Sequence, residues 1–181
     1  MTSVEPGVLD ANVLAYALNA DAAQHVAART LLEAARDPST SLYVTSQILC
    51  EFYSIITNVR RFPKAVSAAE AVRILSTILA LPGLQILPMP SPVVAGWIHL
   101  LGRHAVEGAG VFDLQIVATM LANGVQRIYT FNPGDFQVFA ELTVVTPIWR
   151  AGTARDQKTV PDTLFPIFFL PAWIQDCGKI D

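Results

Sequence analysis

Val8-Leu9-Asp10-Ala11-Asn12-Val13-Leu14 joins a short apolar run to an apolar helical pattern through a single acid. An acid in that place sits where a strand ends and a helix begins. In an open α/β sheet that is the carboxyl edge, where ligands bind. A lone Asp there is also a favoured helix N-cap, so Asp10 by itself decides nothing. The reading rests on three further acids expected at the same kind of place: Glu51, Asp113 and Asp135.

Outward from that stretch the pattern alternates. Residues 4–9 read as a buried strand and Asn12 to Asn19 as a helix. Asp21-Ala22-Ala23-Gln24 has the form of a capping box opening a helix to about Arg36. Leu42 to Thr45 is a second strand, and Ser46 is placed to cap a helix from Gln47 to about Arg60, stopped by Phe62-Pro63. Ser67-Ala68-Ala69-Glu70 is a second capping box, for a helix to about Leu81. Leu84 to Leu87 is a third strand. Ser91-Pro92 puts proline at a first helical position, opening a helix to about Arg103. His104 to Gly110 is expected as a loop. Phe112 to Asn123 is the next helix, with Gly124 suited to the left-handed position after it. Arg127 to Phe131 and Leu142 to Ile148 are the last strands, separated by the turn chemistry of Asn132-Pro133-Gly134-Asp135. Strands alternating with helices predict an α/β fold: a mostly parallel central sheet of about five strands, covered by helices on both faces.

Composition fits one such domain with an appendage. The chain has 181 residues, 52% hydrophobic and only 15% charged, and its mean hydropathy is +0.44. That apolar excess predicts a buried face beyond one monomer's core. The formal net charge of −3 counts mildly against a nucleic-acid substrate, since such binders are usually basic; four clustered carboxylates would, however, lower the balance by themselves. Cys50 and Cys177 form neither a zinc spacing nor a disulfide framework, and Cys50, in an apolar helical run, is expected as a buried thiol. No signal-peptide pattern and no apolar run near the length of a membrane helix is present, so a cytoplasmic location is expected. Residues 1–149 are read as one domain. From 150 to 161 the chain turns polar, and Leu164 to Trp173 is apolar with Pro166 and Pro171 inside it, which forbids a regular helix. The role of this 150–181 tail is left open.

Each acid has a plain alternative. Asp113, in the first turn of its helix, complements the helix dipole. Asp135 ends a turn. On a helix, Ser54 lies about 60° and Asn58 about 20° from Glu51, so the three form one polar stripe on an otherwise apolar helix. Four carboxylates converging on one cleft would repel each other unless a cation sits between them. Oxygen donors without a Cys or His cluster suit Mg²⁺ or Mn²⁺ and not zinc. Such ions activate water and stabilise the leaving oxygen in phosphodiester cleavage. Asn12, Thr130 and Asn132 are candidate accessory residues, placed to orient a carboxylate, the water or a phosphate. Arg60, Arg61, Lys64 and Arg103 are candidate phosphate contacts.

Leu9-Asp10-Ala11-Asn12-Val13-Leu14, the Glu51 helix, the Phe112-Asp113 helix start and Thr130-Phe131-Asn132-Pro133-Gly134-Asp135-Phe136 resemble, in order, the four motifs of PIN-domain nucleases. The nearer resemblance is to VapC-type toxins of bacterial toxin–antitoxin pairs, over residues 4 to 149. The resemblance implies a PIN-like fold and a Mg²⁺- or Mn²⁺-dependent endoribonuclease acting on tRNA or other structured RNA. It also implies a homodimer, and a cognate VapB-like antitoxin that blocks the cleft. Asp10, Glu51, Asp113 and Asp135 would be the catalytic and metal-holding acids, with Asn12, Thr130 and Asn132 accessory. The tail after Trp149 departs from the pattern, since such toxins end just past the last strand.

Two other classes stay open. Asp10-Ala11-Asn12-Val13 is similar to the Asp-x-Asp-x-Val start of haloacid-dehalogenase phosphatases, with Asp10 as nucleophile. Asn12 replaces the acid/base Asp there, however, and Lys64, Lys158 and Lys179 all lie away from the strand ends that would need a phosphate-holding lysine. The third class is a non-catalytic binding module whose acids are only caps.

Overall fold

A computed structural model describes residues 4–148; the expected tail from 150 lies outside the described residues. The described elements fall in the first of the chain's two units, Met1–Pro147. Five strands, β1 (Gly7–Leu9), β2 (Leu42–Val44), β3 (Leu84–Ile86), β4 (Arg127–Tyr129) and β5 (Thr143–Val145), form one sheet in the order β3-β2-β1-β4-β5. Every pairing is parallel. Six α-helices join them: α1 (Ala11–Leu18), α2 (His25–Ala34), α3 (Ser46–Ile56), α4 (Ala68–Leu79), α5 (Pro92–Arg103) and α6 (Gly110–Ala122).

The order fixes where a site can form. From β1 the chain steps outward to β2 and β3, then returns to lay β4 on the other side of β1. With right-handed crossovers, α1 to α4 cover one face and α5 with α6 the other. The packing agrees: α1 lies on α2 and α3, α3 on α4, and α5 on α6. The strand order therefore reverses between β1 and β4, and the crevice past their carboxyl ends is the switch point of the sheet. Asp10 follows β1 and Thr130 follows β4.

The central strand is apolar on both faces, as a sheet covered twice requires: Gly7, Val8 and Leu9 are all buried. Gly7 is there for space, since a Cβ on it would stand 2.8 Å from Cε2 of Tyr129. Gly124, at φ +69° after α6, supplies the left-handed turn expected of it. The edge strands are half wet. Gln85 and Ile86 of β3 and Thr143 of β5 are exposed.

Several local expectations are corrected. Asp21 caps nothing: α2 starts only at His25, and the Asp21 carboxylate instead faces Lys64 at 3.7 Å. Thr45, not Ser46, caps α3, its Oγ1 accepting from the Ile48 amide at 3.1 Å. That helix stops at Ile56 rather than near Arg60, because Asn58 starts a turn, its side chain accepting from the Arg60 amide. Ser67 does cap α4, through the Glu70 amide, whereas Ser91 makes no side-chain cap for α5. Cys50 is exposed, not buried: α3 buries Ile48, Phe52, Ile55 and Ile56, and Cys50 falls on the opposite side. No described helix is long and apolar enough to cross a membrane.

Candidate active site

Asp10 is 7% exposed, a carboxyl almost closed off from solvent. It holds the N-cap position of α1, yet its side chain makes no capping hydrogen bond. Its partners lie across the switch point instead. Thr130 Oγ1 and Asn12 Nδ2 both donate to Asp10 Oδ2, each at 2.6 Å. Asn12 Nδ2 also reaches Thr130 Oγ1 at 3.0 Å, and Asn12 Oδ1 accepts from the Phe131 amide at 3.1 Å. The Asn132 amide donates to Thr130 Oγ1 at 2.9 Å. The backbone closes the same seam, with the Asp10 amide donating to the Tyr129 carbonyl at 3.0 Å. Asn12 and Thr130 thus lock the β1 end to the β4 end and fix one oxygen of Asp10.

The other three acids arrive from separate elements. Glu51 comes from the middle of α3, Asp113 from the first turn of α6 and Asp135 from the end of a 3-10 helix, Pro133–Asp135. All four line one cleft of about 230 Å³, together with Asn12, Tyr16, Asn19, Arg61 and Asn132. Their fields overlap. The Asp113 carboxyl is pushed up to about 6, first by burial, then by the charges of Asp135, Asp10 and Glu51. The Asp10 carboxyl is likewise pushed up to about 6 by burial, with Glu51 and Asp135 adding to the rise and the Thr130 hydrogen bond opposing it. Paired elevation of this kind marks sites where carboxylates are made to share a space.

Among the described residues the lining offers oxygen donors and neither Cys nor His, which suits a hard divalent cation. Such a cation would relieve the mutual repulsion that adds to the rise burial causes at Asp10 and Asp113. As they stand, no three acidic, His or Cys side chains among the described residues close on a single point at ligand range. Bare carboxylates repel, and Glu51 faces Arg61 at 3.7 Å; both keep the cluster open.

Of the candidate basic residues, the structure brings only Arg61 to the lining. Lys64 faces Asp21, and Arg103 pairs with Glu141 at 3.1 Å. Arg60 is exposed and does not line the cleft. Thr130 lies fully buried behind Asp10, while Asn132 is on the lining. Among the described residues no lysine lines the cleft, which counts against the phosphatase reading. Tyr16 and Asn19 line it unforeseen. They follow Asn12 at four and seven residues, one helix face, and that spacing was legible.

Comparison with known proteins gives the family. The PIN domain model matches residues 7–142. The chain belongs to the PIN domain family, in its VapC branch. It is 34% identical to ribonuclease VapC43 of Mycobacterium tuberculosis over 115 residues, 64% of this chain and 78% of that one. In fold it is similar to VapBC2 from Rickettsia felis, solved bound to a promoter DNA fragment: TM-score 0.57 at 18% identity, over 78% of this chain and 98% of that chain. It is similar also to VapC20 of M. tuberculosis, described as a Sarcin-Ricin loop cleaving toxin, with TM-score 0.56 at 20% identity over 77% and 98% of the two chains. The five-stranded parallel sheet expected from the alternating pattern is therefore the PIN arrangement.

Proposed function

We propose that this VapC-type chain is an endoribonuclease that hydrolyses RNA phosphodiester bonds with Mg²⁺ or Mn²⁺ held by Asp10, Glu51, Asp113 and Asp135. The observation that carries the proposal is the convergence of four acids from four elements on one cleft, two of them pushed up to about 6 by burial and by the others' charge. A bound divalent cation would supply positive charge against the phosphate and a more acidic water. The chain's own residues do the rest. Asn12 and Thr130 hold one Asp10 oxygen so that its carboxylate keeps a fixed direction. Asp113, from the first turn of α6, adds a partly buried carboxylate to the same cleft. Asn132, on the lining, is placed to orient water or phosphate, and Arg61 is the candidate phosphate contact.

The likeness to a VapBC toxin–antitoxin assembly supports a VapB-like antitoxin as partner. A homodimer belongs to the same proposal, supported by the exposure of Val94 and Ile98 on α5 and Phe112 at the start of α6. Residues 1–149 are taken as the nuclease domain and 150–181 as an appendage.

The test is purified, antitoxin-free protein incubated with total RNA in Mg²⁺ or Mn²⁺ against EDTA, alongside Asp113→Ala. Discrete fragments that need the ion and vanish in the variant are expected. Intact RNA in every lane, from folded protein, would favour a non-catalytic binding module.

A further inference from the structure

Among the described residues Arg61 is the basic side chain on the lining of the acidic cleft, and a built turn brings it there. After α3 ends, the Asn58 side chain accepts from the Arg60 amide at 2.9 Å. The Asn58 carbonyl accepts from the amides of Arg61 and Phe62, both at 2.9 Å. Phe62 is buried and pins the turn to the core. The Val66 amide returns to the Ile56 carbonyl at 2.9 Å, closing the loop. Between these anchors the Arg61 guanidinium comes back to α3, with Nη2 3.7 Å from Glu51 Oε1.

We propose that Arg61 is a resident counter-cation of the cleft, pairing with Glu51 in the ion-free protein and competing with a divalent cation for that carboxylate. The inference rests on the nuclease reading above and assigns Arg61 a second task besides phosphate contact. Four carboxylates around one cleft repel, and a guanidinium, charged at every working pH, offsets part of that repulsion at Glu51. The pair is built to be displaced. Its side chains are 49% and 42% exposed, and exposed pairs contribute little to stability. The 3.7 Å approach is also looser than a bidentate fork. A divalent cation carries twice the charge and bonds carboxylate oxygens directly. A guanidinium released from Glu51 remains on the same cleft, where it meets a phosphate. Arg61 is thus a positioning residue whose charge balances the cleft before an ion arrives.

The test is Mn²⁺ binding to the full chain, free of RNA and antitoxin, by titration calorimetry at low ionic strength. Wild type, Arg61→Gln, Glu51→Gln and the double variant are compared, with the fold of each checked by ion-free melting. Arg61→Gln is expected to tighten Mn²⁺ about two- to fivefold, the range of a half-exposed ion pair. In the Glu51→Gln background the same change should move the dissociation constant by less than about 1.5-fold, because the contested carboxylate is gone. No gain in the wild-type background would overturn the proposal. An equal gain in both would overturn it too, since Arg61 would then act through its general field and not through Glu51. Wild-type protein that binds no Mn²⁺ at all would instead overturn the metal-site reading itself.

Discussion

At Asp10 the fold holds a carboxyl where its charge is least welcome. Burial pushes it up to about 6 from an ordinary 3.8, and the charges of Glu51 and Asp135 add to the rise. A carboxyl raised in the folded state binds more protons there than in the unfolded chain between the two values, so stability falls as pH rises. In EDTA the melting temperature is therefore expected to drop between about pH 4 and 6, the window of Asp10 and Asp113, and calorimetric melts across that range check it. At about 1.4 kcal/mol per pH unit, Asp10 alone destabilises the ion-free fold by on the order of 3 kcal/mol above pH 6. Asp10→Asn removes that charge and keeps one acceptor oxygen for Thr130 and Asn12. Its ion-free melting temperature at pH 7 should rise by on the order of 5 °C, while RNA cleavage is lost. A variant that cleaves RNA normally would sink the assigned role. Sequence could nominate Asp10 because strand, acid and helix follow one another in seven residues. It could not separate cap from site. The structure does so through the side-chain hydrogen bonds that Asp10 accepts from Thr130 and Asn12 across the seam.

Among the elements, the seam between β1 and β4 carries the site. Thr130 Oγ1 donates to Asp10 and accepts from Asn12 and from the Asn132 amide. Thr130→Val keeps the shape and removes all three bonds. It should destabilise the fold by about 1–3 kcal/mol, as buried groups left unpaired do, and lower cleavage through a loosened Asp10; urea melts and initial rates report the two effects separately. Thr45→Ala removes the α3 cap and should cost about 1 kcal/mol. Because Glu51 lies a turn and a half inside α3, cleavage by the folded fraction should persist. The seam pairs residues some 120 apart in sequence, beyond the reach of local periodicity, so Thr130 was legible only as part of a motif. The helix starts at Asp21 and Ser46 differ from expectation because several Ser, Thr, Asp and Asn residues stand near each start, and periodicity does not choose among them. Asp21 instead faces Lys64, a partner 43 positions away. The α5 and α6 boundaries were closer, because proline and glycine punctuate them.

Over the whole molecule the parallel sheet and its switch point turn four distant acids into one cleft. The alternation of strands and helices predicts the sheet, but strand order cannot be read from periodicity, and without the order nothing puts β4 beside β1. Arg61 shows the same limit: it was one of four basic candidates, and only the turn anchored by Phe62 singles it out. Truncation after Arg150 should leave RNA cleavage in place and change solubility or oligomeric state, read by size-exclusion chromatography; a folded but inactive truncation would make the tail part of the site. The central claim is that Asp10, Glu51, Asp113 and Asp135 act as one unit. Single-turnover cleavage of one defined RNA in Mn²⁺, measured for Asp10→Asn, Glu51→Gln, Asp113→Asn, Asp135→Asn and the Asp10→Asn/Asp113→Asn pair, tests it most directly. Each single variant should lose at least about a hundredfold in rate, and the pair should lose little more than either single, since residues that act together are not additive. Wild-type cleavage by any folded single variant, or losses that multiply in the pair, would contradict a four-acid site.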